Sequence, residues 1–245
     1  MNNLFLYWDN IEASETPAWI LLCRETIYKH IGDNVNVHIV NRSNVTDYLD
    51  NLPKNLYKLK EIAHVADYIR VALLAKHGGI WMDSDCILLK SLDDIYKLLE
   101  TYDFIGYKAS TNYSVNLMAS RSGGKVMTSY LNSLNVILSS NQPLEWNTLG
   151  SLELIEHTDK FPQECFCLNS KLIAPIDYRN FKQFTTDTNI DITDNYCVML
   201  YNKMLTDGGC NIVSMSRDVI LNSPTLIGKL LNISLYEKQL KNIKS

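Results

Sequence analysis

Residues 64–85 read HVADYIRVALLAKHGGIWMDSD, and the patterning of this stretch decides the fold. From about Glu61 to His77 the spacing predicts a helix. Ile62, Ala63, Val65, Ala66, Ile69, Val71, Ala72, Leu73 and Leu74 make it apolar nearly all round, and such a helix is a buried one. Asp67 and Arg70 stand inside it, three residues apart and so neighbours on the helical surface, with His64 one turn earlier. Charges in that setting need partners or a polar ligand. Gly78-Gly79 ends the helix, and the short strand Ile80-Trp81-Met82 leads directly into Asp83-Ser84-Asp85. Asp83 and Asp85 are two apart at the end of this strand, and a period of two puts both carboxylates on one face with Ser84 pointing away. Two hard oxygen donors on one side form half a shell for Mg²⁺ or Mn²⁺, to be completed by water and phosphate oxygens. An isolated D-x-D is more often a solvated turn. This one lies at the C-terminal end of a strand, where open α/β sheets bind ligands.

The flanking sequence extends the same architecture. Residues 4–8 (LFLYW) read as a buried strand, Ala18 to Ile31 as a helix stopped by Gly32, and Val35 to Val40 as an alternating strand. This strand–helix–strand opening is typical of an α/β fold with a mostly parallel sheet. Strands are expected at 87–89, 103–107, 115–119 and 198–201. Helices are expected near 93–100, 124–138 and 148–157. Beyond Lys160 the pattern weakens until a helical tail from Leu226. We divide the chain into a main domain, 1–215, and a helical C-terminal extension of it, 216–245.

The bulk properties restrict function. The chain has 245 residues, 46% of them hydrophobic, enough for a substantial core. A formal net charge of −4 gives no electrostatic case for nucleic acid as a partner. Six cysteines are scattered without a CxxC pair, which argues against structural zinc and for reduced, mostly buried thiols. The first residues carry no secretory signal, and no apolar run approaches the ~20 residues of a membrane span. The expectation is a cytoplasmic protein. The tail residues Leu226, Ile227, Leu230, Leu231 and Ile233, with Lys238, Lys241 and Lys244, could lie on the inner face of an anionic membrane as a peripheral contact. The alternative is a helix packed on the domain with its lysines in water.

The string Asp67-x-x-Arg70 followed by Gly78-Gly79-Ile80-Trp81-Met82-Asp83-Ser84-Asp85 resembles the glycosyltransferases with a DXD sugar-binding region. These include capsular-polysaccharide and O-antigen glycosyltransferases, the yeast initiating α-mannosyltransferases and the catalytic domains of large clostridial glucosylating toxins. The match covers roughly residues 61–95. It implies a GT-A type fold and a retaining transfer of a hexose or N-acetylhexosamine from a nucleotide sugar to a glycan acceptor, free or lipid-linked, with Mn²⁺ or Mg²⁺ as cofactor. By the same resemblance Trp8 and Trp81 line the nucleotide, favouring UDP over GDP. Asp67 and Arg70 contact ribose, sugar or phosphate, Asp83 faces the sugar and ribose, and Asp85 ligates the metal. Asp83, Asp85 and Arg70 are the implied catalytic residues. Asn116, in VNLMAS, echoes an asparagine-bearing strand, and NTLGS (147–151) echoes a helix start in which Ser151 replaces a common proline.

One departure stands out. Relatives usually carry a histidine in the late segment, and this chain has Met199 there, in VMLYN. A thioether is a poor ligand for a hard cation, which leaves Asn202 as a candidate oxygen donor and Tyr201 as an aromatic neighbour. No covalent nucleophile is evident, and Asp177 and Glu153 stay unassigned. Two other readings remain open: a metal-dependent nucleotidyltransferase or phosphoryl enzyme, and an inactive sugar-binding relative. The first normally shows a glycine-rich phosphate loop near the N-terminus, and residues 1–30 have none.

Overall fold

The computed structural model describes residues 1–10, 15–140 and 142–237. In chain order the elements are β1 (Asn2–Tyr7), α1 (Ala18–His30), β2 (Val35–Val40), α2 (Ile62–His77), β3 (Gly79–Met82), β4 (Cys86–Leu88), α3 (Asp93–Leu98), β5 (Phe104–Tyr107), β6 (Leu117–Ser120), α4 (Lys125–Ser139), α5 (Ser151–Lys160), β7 (Cys165–Leu168), β8 (Cys197–Met199), α6 (Asn202–Asp207), α7 (Arg217–Leu221) and α8 (Leu226–Tyr236). They fall into two compact units. One comprises Met1–Asp9, Asn34–Met82 and Asp93–Leu168; the other comprises Asn10–Asp33, Asp83–Leu92 and Asn169–Ser245.

The first unit is built on a six-stranded sheet of order β2-β1-β3-β6-β5-β7. β1 pairs in parallel with both β2 and β3, and β5 with β7, while β6 is antiparallel to β3 and β5. Five strands therefore share one direction and β6 opposes them. Along β1 and β3 both faces are buried, as parallel strands require. Phe5, Tyr7 and Trp81 join the main core with Val65, Ile69 and Leu73 of α2 and with Val126, Tyr130 and Leu134 of α4. The fold is the expected mixed α/β class.

Two glycines set the passage from α2 to β3. Gly78 has φ +66° and Gly79 φ +102°, backbone that L-residues rarely adopt. A Cβ on Gly79 would lie 2.4 Å from the Asn3 carbonyl oxygen, and one on Gly78 2.5 Å from the Ser122 nitrogen. The helix can therefore hand the chain straight to β3, in register beside β1. Element boundaries elsewhere differ modestly from expectation: β1 stops at Tyr7, β6 starts at Leu117, and α5 spans 151–160. The edge strand β7 has no counterpart in the sequence reading. Its Cys-Phe-Cys-Leu run is only half-buried and carries no clear alternation.

The second unit holds the two-stranded antiparallel sheet β4–β8, with Cys86 opposite Met199 and Leu88 opposite Cys197. Helix α1 packs against β4, α7 and α8. The apolar tail residues expected as a possible membrane face are instead buried: Leu226 is 2% exposed, Leu230 1% and Leu231 0%. Lys229 is tied down as well, to Asp187, the Thr188 carbonyl and Asn189. Packing of 226–236 within its unit satisfies the apolar periodicity, so the packed-helix alternative holds. Lys238, Lys241 and Lys244 lie outside the described residues. No described helix is long and apolar enough to cross a membrane.

All six cysteines are free. Burial holds the Cys23 and Cys86 thiols well above the usual range, whereas Cys167 is exposed. Iodoacetamide at mildly alkaline pH should therefore label Cys167 first and leave Cys23 and Cys86 untouched until the protein unfolds, as read by peptide mass spectrometry. Gly79→Ala should destabilise the protein by about 2 kcal/mol or more in urea titration, from the left-handed backbone and the clash with Asn3 together.

Candidate functional site

In the first unit the site is organised by α2. Asp67 and Arg70 are 6% and 5% exposed. Their one-turn spacing brings Arg70 Nη1 to 3.2 Å from Asp67 Oδ1. The same nitrogen donates to the Val115 carbonyl at 3.0 Å, and the guanidinium lies over the Trp81 ring, 5.0 Å from its centre. Each contact compensates part of the cost of removing the charge from water. Trp81 is itself only 1% exposed. It lies beneath Arg70, and its ring faces the core.

Asp67 also borders the turn before α5. A Cβ on Gly150 would come within 3.2 Å of Asp67 Oδ2, so the missing side chain lets the backbone approach the carboxylate. Tyr130 fixes that backbone by donating its buried hydroxyl to the carbonyls of Leu149 and Gly150, at 2.6 and 2.8 Å. His64 anchors the same loop one turn earlier, with Nε2 3.1 Å from the Glu145 carbonyl and 3.2 Å from that of Trp146. The NTLGS segment is thus seated against α2, and α5 begins at Ser151. Behind it, His157 stacks on Tyr130 and bridges Ser129 and Glu153 between α4 and α5.

At the end of β1, Trp8 is half-buried and its backbone N–H donates to the Val40 carbonyl at 3.0 Å. Beside it, Asp9 accepts from the Arg42 backbone and Nε and from the Tyr7 hydroxyl. Burial, then the Asp9 charge, raises the Tyr7 phenol far above its ordinary range and keeps it a donor. Asn116 precedes β6 rather than lying in it, and its side-chain oxygen accepts from the Ser114 hydroxyl.

In the second unit the acids do not continue a strand. β3 ends at Met82, residues 83–85 form a turn, and β4 starts at Cys86 with a different partner strand. The period-two argument for the two carboxylates therefore fails, and with it the placement of Ser84 on the opposite face of a strand; Ser84 is buried, 3% exposed. The pairing change is the physical reason, since a chain leaving one ladder for another must turn. Asp83 is half-buried and Asp85 8% exposed. The residues after β8 wrap Asp85. The Leu200 N–H donates to its carbonyl at 3.0 Å, and the Asn202 N–H to Oδ2 at 2.5 Å. This wrap depends on Tyr201, which adopts left-handed backbone (φ 58°, ψ 63°), an uncommon state for an aromatic residue. Its hydroxyl donates to the Ile176 carbonyl at 2.9 Å, and its ring meets Tyr178 and Phe184.

Met199 occupies a core position in β8, 1% exposed, and is a packing residue. Asn202 meets Asp85 through its backbone. Among the described residues no three His, Cys, Asp or Glu side chains form a metal-binding group. Two carboxylates with phosphate and water still suit Mg²⁺ or Mn²⁺, which commonly take one or two protein carboxylates beside substrate phosphates.

The fold is that of a glycosyltransferase involved in glycosylation of the major capsid of the virus PBCV-1, which shares 11% identity over 88% of this chain and 100% of that one, with a TM-score of 0.52. The apo glycosyltransferase GlyE of Streptococcus pneumoniae TIGR4 matches at 12% identity and TM-score 0.49, covering 90% of this chain and 62% of GlyE, so this chain spans about three-fifths of its length. The PaToxG glycosyltransferase matches at 13% identity and TM-score 0.47, over 66% of this chain and 70% of that one. No curated protein sequence matches significantly. The family described as capsular polysaccharide synthesis protein matches residues 1–142, and the chain belongs to it.

Sequence reasoning missed Tyr130, Gly150 as a neighbour of Asp67, and the Leu200–Asn202 wrap. The NTLGS echo was the one available signal for the second. Arg70→Leu should destabilise the protein by about 3–5 kcal/mol by stranding the buried Asp67 carboxylate. Asp67→Asn combined with Arg70→Leu should recover most of that loss in urea titration, because no lone charge remains.

Proposed function

We propose that this protein is a retaining glycosyltransferase that moves a hexose or N-acetylhexosamine from a nucleotide sugar, with UDP as the nucleotide, to a glycan acceptor in capsule or O-antigen polysaccharide synthesis. The observation that carries the reading is the buried Asp67–Arg70 pair on α2, followed in sequence by Asp83 and by an Asp85 wrapped by backbone N–H groups. Family membership and the shared fold support it.

The residues' settings are compatible with the roles that the family resemblance implies. Arg70 supplies a fixed positive charge in a water-poor environment, where charge acts more strongly on a departing diphosphate than it would in solvent. Asp67, held by Arg70, is a preoriented acceptor for sugar or ribose hydroxyls. Trp81 supports Arg70 from beneath, and Trp8 at the end of β1 is the aromatic surface for the base. Asn116 offers amide hydrogen bonds to the donor. Asp83 and Asp85 would hold Mn²⁺ or Mg²⁺, with the Asn202 side chain a third oxygen donor. When bound, such a cation offsets charge on diphosphate oxygens. The grip of the Asn202 N–H on one oxygen of Asp85 orients the carboxylate, as partners behind metal ligands commonly do.

Calorimetry of UDP binding with and without Mn²⁺, on wild type and Asp85→Ala, tests the reading. The expected result is UDP binding that requires Mn²⁺ and is abolished by Asp85→Ala. Binding of GDP alone would change the nucleotide and leave the class. Failure of both UDP and GDP to bind would overturn the proposal in favour of a relative without transferase chemistry.

A further inference from the structure

The second unit contains a cavity of about 450 Å³ in the C-terminal third of the chain, outside the family match. Its floor is apolar and buried: Phe184 is 0% exposed, Ile212 2%, Ile220 1% and Ile227 3%. Its lining also includes Thr185, Thr186, Ser223, Thr225 and Asn211. The Thr185 and Thr186 hydroxyls donate to the carbonyls of Lys182 and Gln183, Ser223 and Thr225 share a hydrogen bond, and Asn211 Oδ1 accepts from Ser214. This leaves lone pairs on these oxygens and the Asn211 amide N–H groups for a ligand. Phe181 forms one wall, packed so closely on Gly208 that a Cβ there would lie 2.6 Å from the ring. The lining includes no carboxylate, and Lys182 is its one cation.

This chemistry selects a class of ligand. A nucleotide or sugar phosphate would call for several cations or convergent N–H donors. A lipid chain would call for an apolar rim as well as an apolar floor. An uncharged sugar fits both zones, because its C–H faces pack on aromatic and aliphatic surface while its hydroxyls exchange hydrogen bonds with threonine, serine and asparagine. The volume lies within the usual ~300–1,000 Å³ of small-molecule sites.

The cavity's place in its unit gives the sugar a role. Asn202, the first residue of α6, holds Asp85, and Gly208, Gly209 and Cys210, just past the other end of α6, line the cavity. Six helical residues span about 9 Å. The edge of the cavity at Gly208 is therefore one such helix length, about 9 Å, from the Asn202 N–H that holds Asp85, and the Phe184–Tyr201 ring contact joins the cavity floor to the same turn. We infer that this cavity is a saccharide subsite that holds an uncharged sugar residue of the glycan, one or two residues away from the reacting hydroxyl. The assignment of a glycan ligand rests on the glycosyltransferase reading. Binding energy from such a remote residue can be used to orient the reacting one.

Isoleucine δ1-methyl NMR tests the subsite without any need for turnover, since Ile212, Ile220 and Ile227 report on its floor. The probes are methyl α-glucopyranoside, methyl α-galactopyranoside and methyl N-acetyl-α-glucosaminide, with 1-octanol as the apolar control. The expected result is that at least one glycoside shifts these three methyl signals. Thr185→Trp and Asn211→Trp, exposed rim positions whose bulk would fill the cavity, should each weaken that response at least tenfold while the remaining methyl spectrum stays folded. Response to octanol alone, response to no glycoside, or a response unchanged in both tryptophan variants would overturn the inference. Asp85→Asn separates the two readings: glycoside shifts that persist when UDP binding is lost support the subsite on its own. UDP binding without any glycoside shift leaves the donor reading standing and removes the subsite.

Discussion

The first unit depends on a pair of charges that the chain has taken out of water. Asp67 and Arg70 sit on a helix that is otherwise core, and neither could remain there alone. Their needs dictate what surrounds them: a carbonyl from the segment before β6, a tryptophan face from β3, and a glycine at the start of α5 that lets backbone come close to the carboxylate. Three elements far apart in sequence are thereby fixed against α2. A pair of well-packed apolar residues would do as much for stability.

The second unit treats its acid differently. Backbone groups hold Asp85: the Leu200 N–H donates to its carbonyl and the Asn202 N–H to its carboxylate. It is oriented by backbone, through a turn that only a left-handed Tyr201 makes possible. Strain of this kind persists where the surroundings over-determine it, and here a hydroxyl bond to Ile176 and two ring contacts hold the residue in place. This arrangement also accounts for Met199. Opposite Cys86 in β8, it fills the core behind the turn.

Much of the fold was legible in the sequence because its signals are local. The buried helix, the glycine pair and the strand after it follow from patterning over some twenty residues, and the Asp67–Arg70 spacing follows from helical geometry. The acids' conformation was not legible, because it depends on β4 leaving the ladder of β3 for a partner more than a hundred residues away. The same is true of the Tyr130 bond to the turn before α5, which joins a helix to a loop that local propensity describes only as irregular. β7 escaped because a half-buried edge strand lacks the alternation that periodicity arguments detect.

The pairing of β4 with β8 has a consequence for biosynthesis. Residues 83–92 emerge from the ribosome long before 197–202, yet the hydrogen bonds that orient Asp85 come from the later segment. Contacts of such sequence separation form late, since a large loop must close first. Nascent or truncated chains ending before Cys197 can assemble the sheet of the first unit, whose strands all lie before residue 169, but they lack the wrap around the acid. The order of synthesis thus withholds the finished turn around Asp85 until residues 197–202 have been made.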